Sequence, residues 1–205
     1  AGNVGYISIS HISQRTVHNL LAELDKLQAQ GAMEHGLVLD LRGNTGGSMK
    51  ESARTVDEFV DGGLLLRTVG PDGNHVRNLQ AKMTAEVGGT IPQVPVVVLV
   101  DERTASGAEI IAGALLELER SALVGTRSYG KGTVQKIYPL SEDMRLKLTV
   151  AQYLLANDRV IADRGLVPDV VVGSIELDSY GVHYQDWDEE RLRTPLTDVV
   201  PWVRE

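Results

Sequence analysis

Two short runs constrain this chain more than anything else in it. Leu37-Val38-Leu39-Asp40-Leu41 and Val96 to Val100 are almost wholly apolar, and each leads into a turn of small residues and then a segment with helical spacing. A strand that is apolar on both faces has to be covered on both faces, which is the pattern of a parallel sheet flanked by helices. The rest of the chain keeps that rhythm. Gly5 to Ser10 alternates with period two and reads as a strand. Thr16 to Gln30 sets Val17, Leu20, Leu21, Leu24 and Leu27 on one helical face, and Gly31 ends it. Further helices are expected over roughly Ser48 to Val60 and Thr104 to Leu118, and a short strand at Ala122-Leu123-Val124. Leu64 to Val69 and His75 to Lys82 read as a hairpin around Pro71-Asp72-Gly73-Asn74, and Val134 to Tyr138 and Leu146 to Leu155 as later strands. Repeated β-α units of this kind predict an α/β fold with a largely parallel sheet, to which antiparallel hairpins are added.

Composition narrows the function classes. A chain of 205 residues with 42% apolar and 23% charged residues can bury one full core. The absence of cysteine removes disulfides, thiolate metal sites and a cysteine nucleophile, and suits an oxidising compartment. A net charge of -8 disfavours nucleic acid and anionic membranes. The longest apolar run, Val94 to Val100, is far short of the roughly 20 residues a membrane helix needs. Ala1 in place of Met points to a mature or cut form, with no signal peptide present. The organisation expected is a core over 1–173 and an acidic tail over 174–205, which carries eight acidic and three basic residues and both tryptophans, Trp187 and Trp202. That tail reads equally as an appendage docked through its aromatics or as a loosely ordered end.

Three loops could carry chemistry. Asp40 to Gly47 joins a buried strand to a helix, and its paired glycines let backbone N–H groups face an anion or a developing oxyanion. Taken alone it is more simply a tight turn. Val100 to Glu109 puts Ser106 where a helix begins, with Ala105, Gly107 and Ala108 leaving room for a substrate backbone. The plainer use of serine there is an N-cap. Gly125 to Gln135 nearly matches a phosphate-binding loop, but Gly132 replaces the metal-binding hydroxyl and a strand follows instead of a helix. Lys131 between two glycines is then either a reactive amine or an exposed hairpin lysine. His11, His18, His35, His75 and His183 are scattered, GxSxG is absent, and no cluster suggests a metal or cofactor.

Taken in order, these loops resemble the carboxyl-terminal processing (tail-specific) serine protease family. The resemblance rests on Asp40 to Gly47, Thr104 to Ile110 and Gly130 to Gln135, with Gly5-Tyr6-Ile7 before them and Gly165 to Asp169 after them. It spans roughly residues 5 to 173 and implies a core of ClpP/crotonase type. It implies Ser106 as nucleophile, Lys131 as general base and Gln135 as the residue that positions the lysine. It implies an oxyanion hole from the backbone of Gly107 with Gly47 or Gly46, and Glu109 as a supporting acid. An ammonium cannot accept a proton, so this reading needs Lys131 buried against apolar neighbours, with a rate that rises with pH. The resemblance further implies protein or peptide C-termini as substrates and an extracytoplasmic setting, in the periplasm or cell envelope, and leaves a homo-oligomer open. The family's usual PDZ module would precede the Gly-Tyr-Ile strand, where this sequence has only Ala1 to Val4. The runner-up is a non-catalytic ligand- or peptide-binding module on the same fold, and an acyl-CoA enzyme of crotonase type ranks last.

Overall fold

The two apolar runs are neighbours in space. The computed structural model, which describes residues 3–70, 75–80, 91, 93–155, 159–172, 175–178 and 181–184, pairs Leu37–Asp40 in parallel register with Val96–Leu99. These strands are β2 (Gly36–Asp40) and β5 (Val96–Val100), counting from β1 (Val4–Ser8), with β3 (Leu64–Val69) and β4 (His75–Gln80) between them in sequence. β6 (Ala122–Gly125) and β9 (Val170–Val171) complete a five-stranded sheet in the order β1-β2-β5-β6-β9, and every pair in it is parallel. The α/β reading therefore holds, and the antiparallel additions are present as well. β7 (Thr133–Pro139) and β8 (Arg145–Leu155) join β3 and β4 in a second sheet, ordered β4-β3-β8-β7. β10 (Ile175–Asp178) and β11 (Gly181–Tyr184) form a separate antiparallel pair.

Three helices sit on this frame: α1 (Thr16–Ala29), α2 (Met49–Asp57) and α3 (Gly107–Glu117). α1 buries Val17, Leu20 and Leu24, the amphipathic stripe its spacing foretold. α3 is different, because its first nine residues, Gly107 to Leu115, are all buried. It packs against α2, β3, β6 and β8, and so lies between the two larger sheets. Ile110, Ile111 and Leu115 have almost no exposure, and each contributes roughly 1.5–3 kcal/mol by leaving water. Gly113 makes the fit possible, since a Cβ there would come within 2.4 Å of Leu155 Cδ1 and 3.1 Å of Leu166 Cδ2.

Two boundaries differ from the sequence reading for identifiable reasons. α2 stops at Asp57, where the Phe59 amide turns back to the Val56 carbonyl at 2.9 Å. α3 starts at Gly107 and not at Thr104, because the Asp101 carboxylate accepts the amides of Arg103 and Thr104 and holds that stretch in a turn. The turn at 71–74, the tryptophans and most of the acidic tail lie outside the described residues. Among the described residues no helix is long and apolar enough to cross a membrane.

Candidate active site

All five strands of the main sheet run the same way, so the segments that follow β2, β5 and β6 emerge at one rim. Crevices outside the carboxyl ends of parallel strands are where α/β folds hold ligands. Here the three loops are also tied to one another. Asn44, fully buried, gives its side-chain amide to the Ile9 carbonyl at 2.6 Å, accepts the Gly46 amide at 2.8 Å, and offers its own carbonyl to the Ala105 amide at 2.9 Å. Asp101 accepts the Gly43 amide at 2.9 Å, and Thr104 Oγ1 donates to the Leu41 carbonyl at 3.0 Å. The Tyr129 amide reaches the Thr104 carbonyl at 3.0 Å.

Ser106 stands at the crest of this rim, half-buried, at the N-cap position of α3. Its backbone has φ 56° and ψ -117°, a region that turns normally reserve for glycine. A non-glycine residue held there is strained, and such residues gather at functional turns between a strand and a helix. Directly against it lies the glycine pair. A Cβ on Gly46 would come within 2.8 Å of the Ser106 Cβ, and one on Gly47 within 1.9 Å of the Ile12 carbonyl oxygen, so neither position admits a side chain. Gly107 is as tight, since its Cβ would sit 2.6 Å from Ser52 Oγ and 3.3 Å from the Gly47 nitrogen. The Gly46 amide is engaged by Asn44. Among the described residues the amides of Gly47 and Gly107 donate to nothing in the chain, and Gly47 is exposed.

Glu109 is the centre of the arrangement. Its carboxylate is fully buried and accepts four hydrogen bonds. Oε1 takes the Ser128 hydroxyl at 2.6 Å and the Gly130 amide at 2.7 Å. Oε2 takes the Ser106 amide at 2.8 Å and the Lys131 amide at 2.9 Å. One oxygen thus holds the backbones of Ser106 and Lys131 side by side. Ser128 passes the restraint on, because its hydroxyl accepts the Leu166 amide at 2.7 Å, which anchors the segment containing Gly165 to Asp169.

The structure brings Ser106, Gly46, Gly47, Gly107 and Glu109 together with the main chain of Lys131. It does not bury Lys131, whose side chain is exposed. That corrects the expectation of an amine packed against apolar neighbours: the flanking Gly130 and Gly132 are buried, and the side chain between them points outward from a clamped backbone. Gln135 is exposed too, on β7 opposite Thr149, just past an irregularity in the β7–β8 register.

Two groups escaped the sequence reading. Tyr153 on β8 is 2% exposed, and its hydroxyl donates to the Lys131 carbonyl. Burial, reinforced by the Glu109 carboxylate, pushes its phenol well above the ordinary value, with the Ser106 side chain working in the other direction. Its alternation with Ala151 and Leu155 marked it only as a core residue. The other group is Asp40 at the end of β2, gripped by Arg42 at 2.7 and 2.9 Å and by the Tyr6 hydroxyl at 2.6 Å. Burial raises its pKa, but the hydrogen bonds from Arg42 and Tyr6 outweigh burial and bring it down to about 2.

Residues 3–172 match Peptidase family S41. The chain belongs to peptidase family S41. It is 35% identical over 173 residues to the carboxy-terminal-processing protease of Bartonella bacilliformis, covering 83% of this chain and 39% of that one. It is 36% identical over 188 residues to the carboxy-terminal processing protease CtpA of Bacillus subtilis, covering 91% and 38%. This S41 chain therefore spans about two-fifths of the length of those relatives. Among solved structures it is similar to a photosystem II D1 C-terminal processing protease, with a TM-score of 0.75 and 31% identity over 82% of this chain and 42% of that one. The tricorn protease shares the S41 chain's fold, at a TM-score of 0.57 and 17% identity over 83% and 15%.

Proposed function

We propose that this S41 chain is the catalytic core of a serine endopeptidase that cuts protein substrates near their C-termini. Ser106 is the nucleophile, Lys131 the general base and Gln135 the residue that orients the lysine. The observation that carries this reading is the single Glu109 oxygen bonded to the amides of both Ser106 and Lys131. It fixes the main chains of the proposed pair independently of how the lysine side chain is turned. Ser106 Oγ attacks the substrate carbonyl as its proton passes to Lys131; the C–N bond then breaks, the amine departing with that proton, and water releases the acyl-enzyme that remains. The oxyanion falls to the amides of Gly107 and Gly47, since the Gly46 amide is already taken by Asn44. Each such donor is worth about 3 kcal/mol of transition-state stabilisation. An amine works as a base only when it is desolvated, so the reacting complex needs Lys131 folded inward and covered, with bound substrate as the cover. Recognition of substrate C-termini and a location outside the cytoplasm are part of the same proposal. The names of the relatives support the first, and the lack of cysteine agrees with the second.

A fluorophosphonate probe and a casein-type substrate test the assignment. Wild-type chain is expected to be labelled at Ser106 and to cleave, and Ser106→Ala and Lys131→Ala each to lose at least about a thousandfold in kcat. Proteolysis that survives both substitutions refutes it. A chain that neither labels nor cleaves supports instead the non-catalytic binding module.

A further inference from the structure

We propose that Tyr153 is a positioning residue for Lys131: its hydroxyl clamps the Lys131 carbonyl. The inference rests on the functional reading above and adds to it a residue from a different sheet. Tyr153 belongs to β8, in the antiparallel sheet, whereas Ser106 and Gly47 belong to the rim of the parallel sheet. Its backbone amide donates to the Gly132 carbonyl at 3.0 Å, and its hydroxyl to the carbonyl of Lys131 just before it. Glu109 holds the Lys131 amide from the other side. Both main-chain polar atoms of Lys131 are thereby fixed by buried side chains, and only the amine-bearing chain is left to move.

The proton count at the phenol defines the arrangement. A phenol has one proton and two lone pairs. The proton goes to the Lys131 carbonyl, so that carbonyl takes the one hydrogen bond the phenol can donate. With the lysine side chain turned out to solvent, Tyr153 and Glu109 keep the Lys131 main chain in place. When the amine swings in, its reach towards Ser106 starts from a main chain whose place is set by the clamp. An aromatic ring in the core does not need a hydroxyl for any of this packing, yet the hydroxyl reaches the main chain of the proposed base.

Tyr153→Phe removes the hydroxyl and keeps the ring. It is expected to lower kcat about 10- to 100-fold with KM within about twofold, because misplacing a reacting group by about 1 Å costs on that order. The rate of fluorophosphonate labelling at Ser106 should fall in parallel. p-Aminophenylalanine in place of Tyr153, which retains an N–H donor at the para position, should recover most of both rates. Labelling and turnover that are unchanged in Tyr153→Phe overturn the inference. So does a loss that p-aminophenylalanine leaves uncorrected although circular dichroism shows the chain folded. Should Tyr153→Phe itself not fold, the p-aminophenylalanine chain is read alone: near wild-type rates support the inference and lost rates overturn it. If wild-type chain takes no label, the peptidase reading has failed, a result distinct from an unchanged Tyr153→Phe.

Discussion

Glu109 has no contact with solvent and meets four donors, which is as many as two carboxylate oxygens readily accept. Glu109→Gln keeps the shape and turns one end into an N–H₂ group. That end then faces donors, whichever way the amide is flipped. The substitution should cost on the order of 3 kcal/mol, visible as a lower Tm, because buried donors lose their acceptor. It should also depress kcat more than KM, since the main chains of Ser106 and Lys131 lose their shared anchor. A Tm within a degree of wild type would contradict the geometry. Much of this scale was legible in the sequence. Ser106, Gly107, Glu109 and the glycine pair were all named from their loops, and a carboxylate three residues after a helix-initiating serine is a recognisable pattern. Which of the Gly46 and Gly47 amides is left without an acceptor in the described chain was not legible, because it depends on which amide Asn44 occupies. Nor was the contact of Tyr153 with the Lys131 carbonyl, because it depends on the register of a strand in another sheet.

Among the elements, the convergence of three distant loops follows from strand direction alone, and sequence reading could reach it as soon as β2 and β5 were recognised as buried parallel strands. The environment of α3 was harder to foresee. Its periodicity is weak because nearly every position is buried, and a helix apolar on all sides carries little directional information. Gly113 reads as an unremarkable helix glycine until the second sheet is laid against it. Gly113→Val is therefore expected to push on Leu155 and Leu166 and to destabilise the fold by about 1–3 kcal/mol, where helix propensity alone would predict no such loss. Thermal unfolding of that single variant decides the matter, and a rise in Tm would mean that α3 is packed more loosely than its contacts with Leu155 and Leu166 imply.

Across the whole molecule, stability has an acid limit set partly at the end of β2. Asp40 has its pKa lowered from 3.8 to about 2 in the folded chain. A carboxyl depressed in this way stabilises the fold above its unfolded pKa, and the contribution is lost as pH falls through the window from about 4 to about 2. Because Arg42 is half exposed, screening holds the effect to about 1 kcal/mol. Asp40→Asn should unfold with a shallower pH dependence across that window, and an unchanged slope would show that other carboxyls dominate. At this scale the sequence foretold the layered α/β plan but not the projecting β7–β8 arm, where Ile137, Leu140 and Met144 remain 59–61% exposed. Apolar residues on a two-stranded ribbon read as core until it is known that nothing among the described residues covers them. The left-handed turn at Ser106 has a consequence for the resting molecule. Glycine would sit there at ease and give a sturdier chain with no hydroxyl to offer. This protein instead holds its alcohol in a posture the backbone resists, so alertness at the rim and durability of the whole are set against each other at one residue.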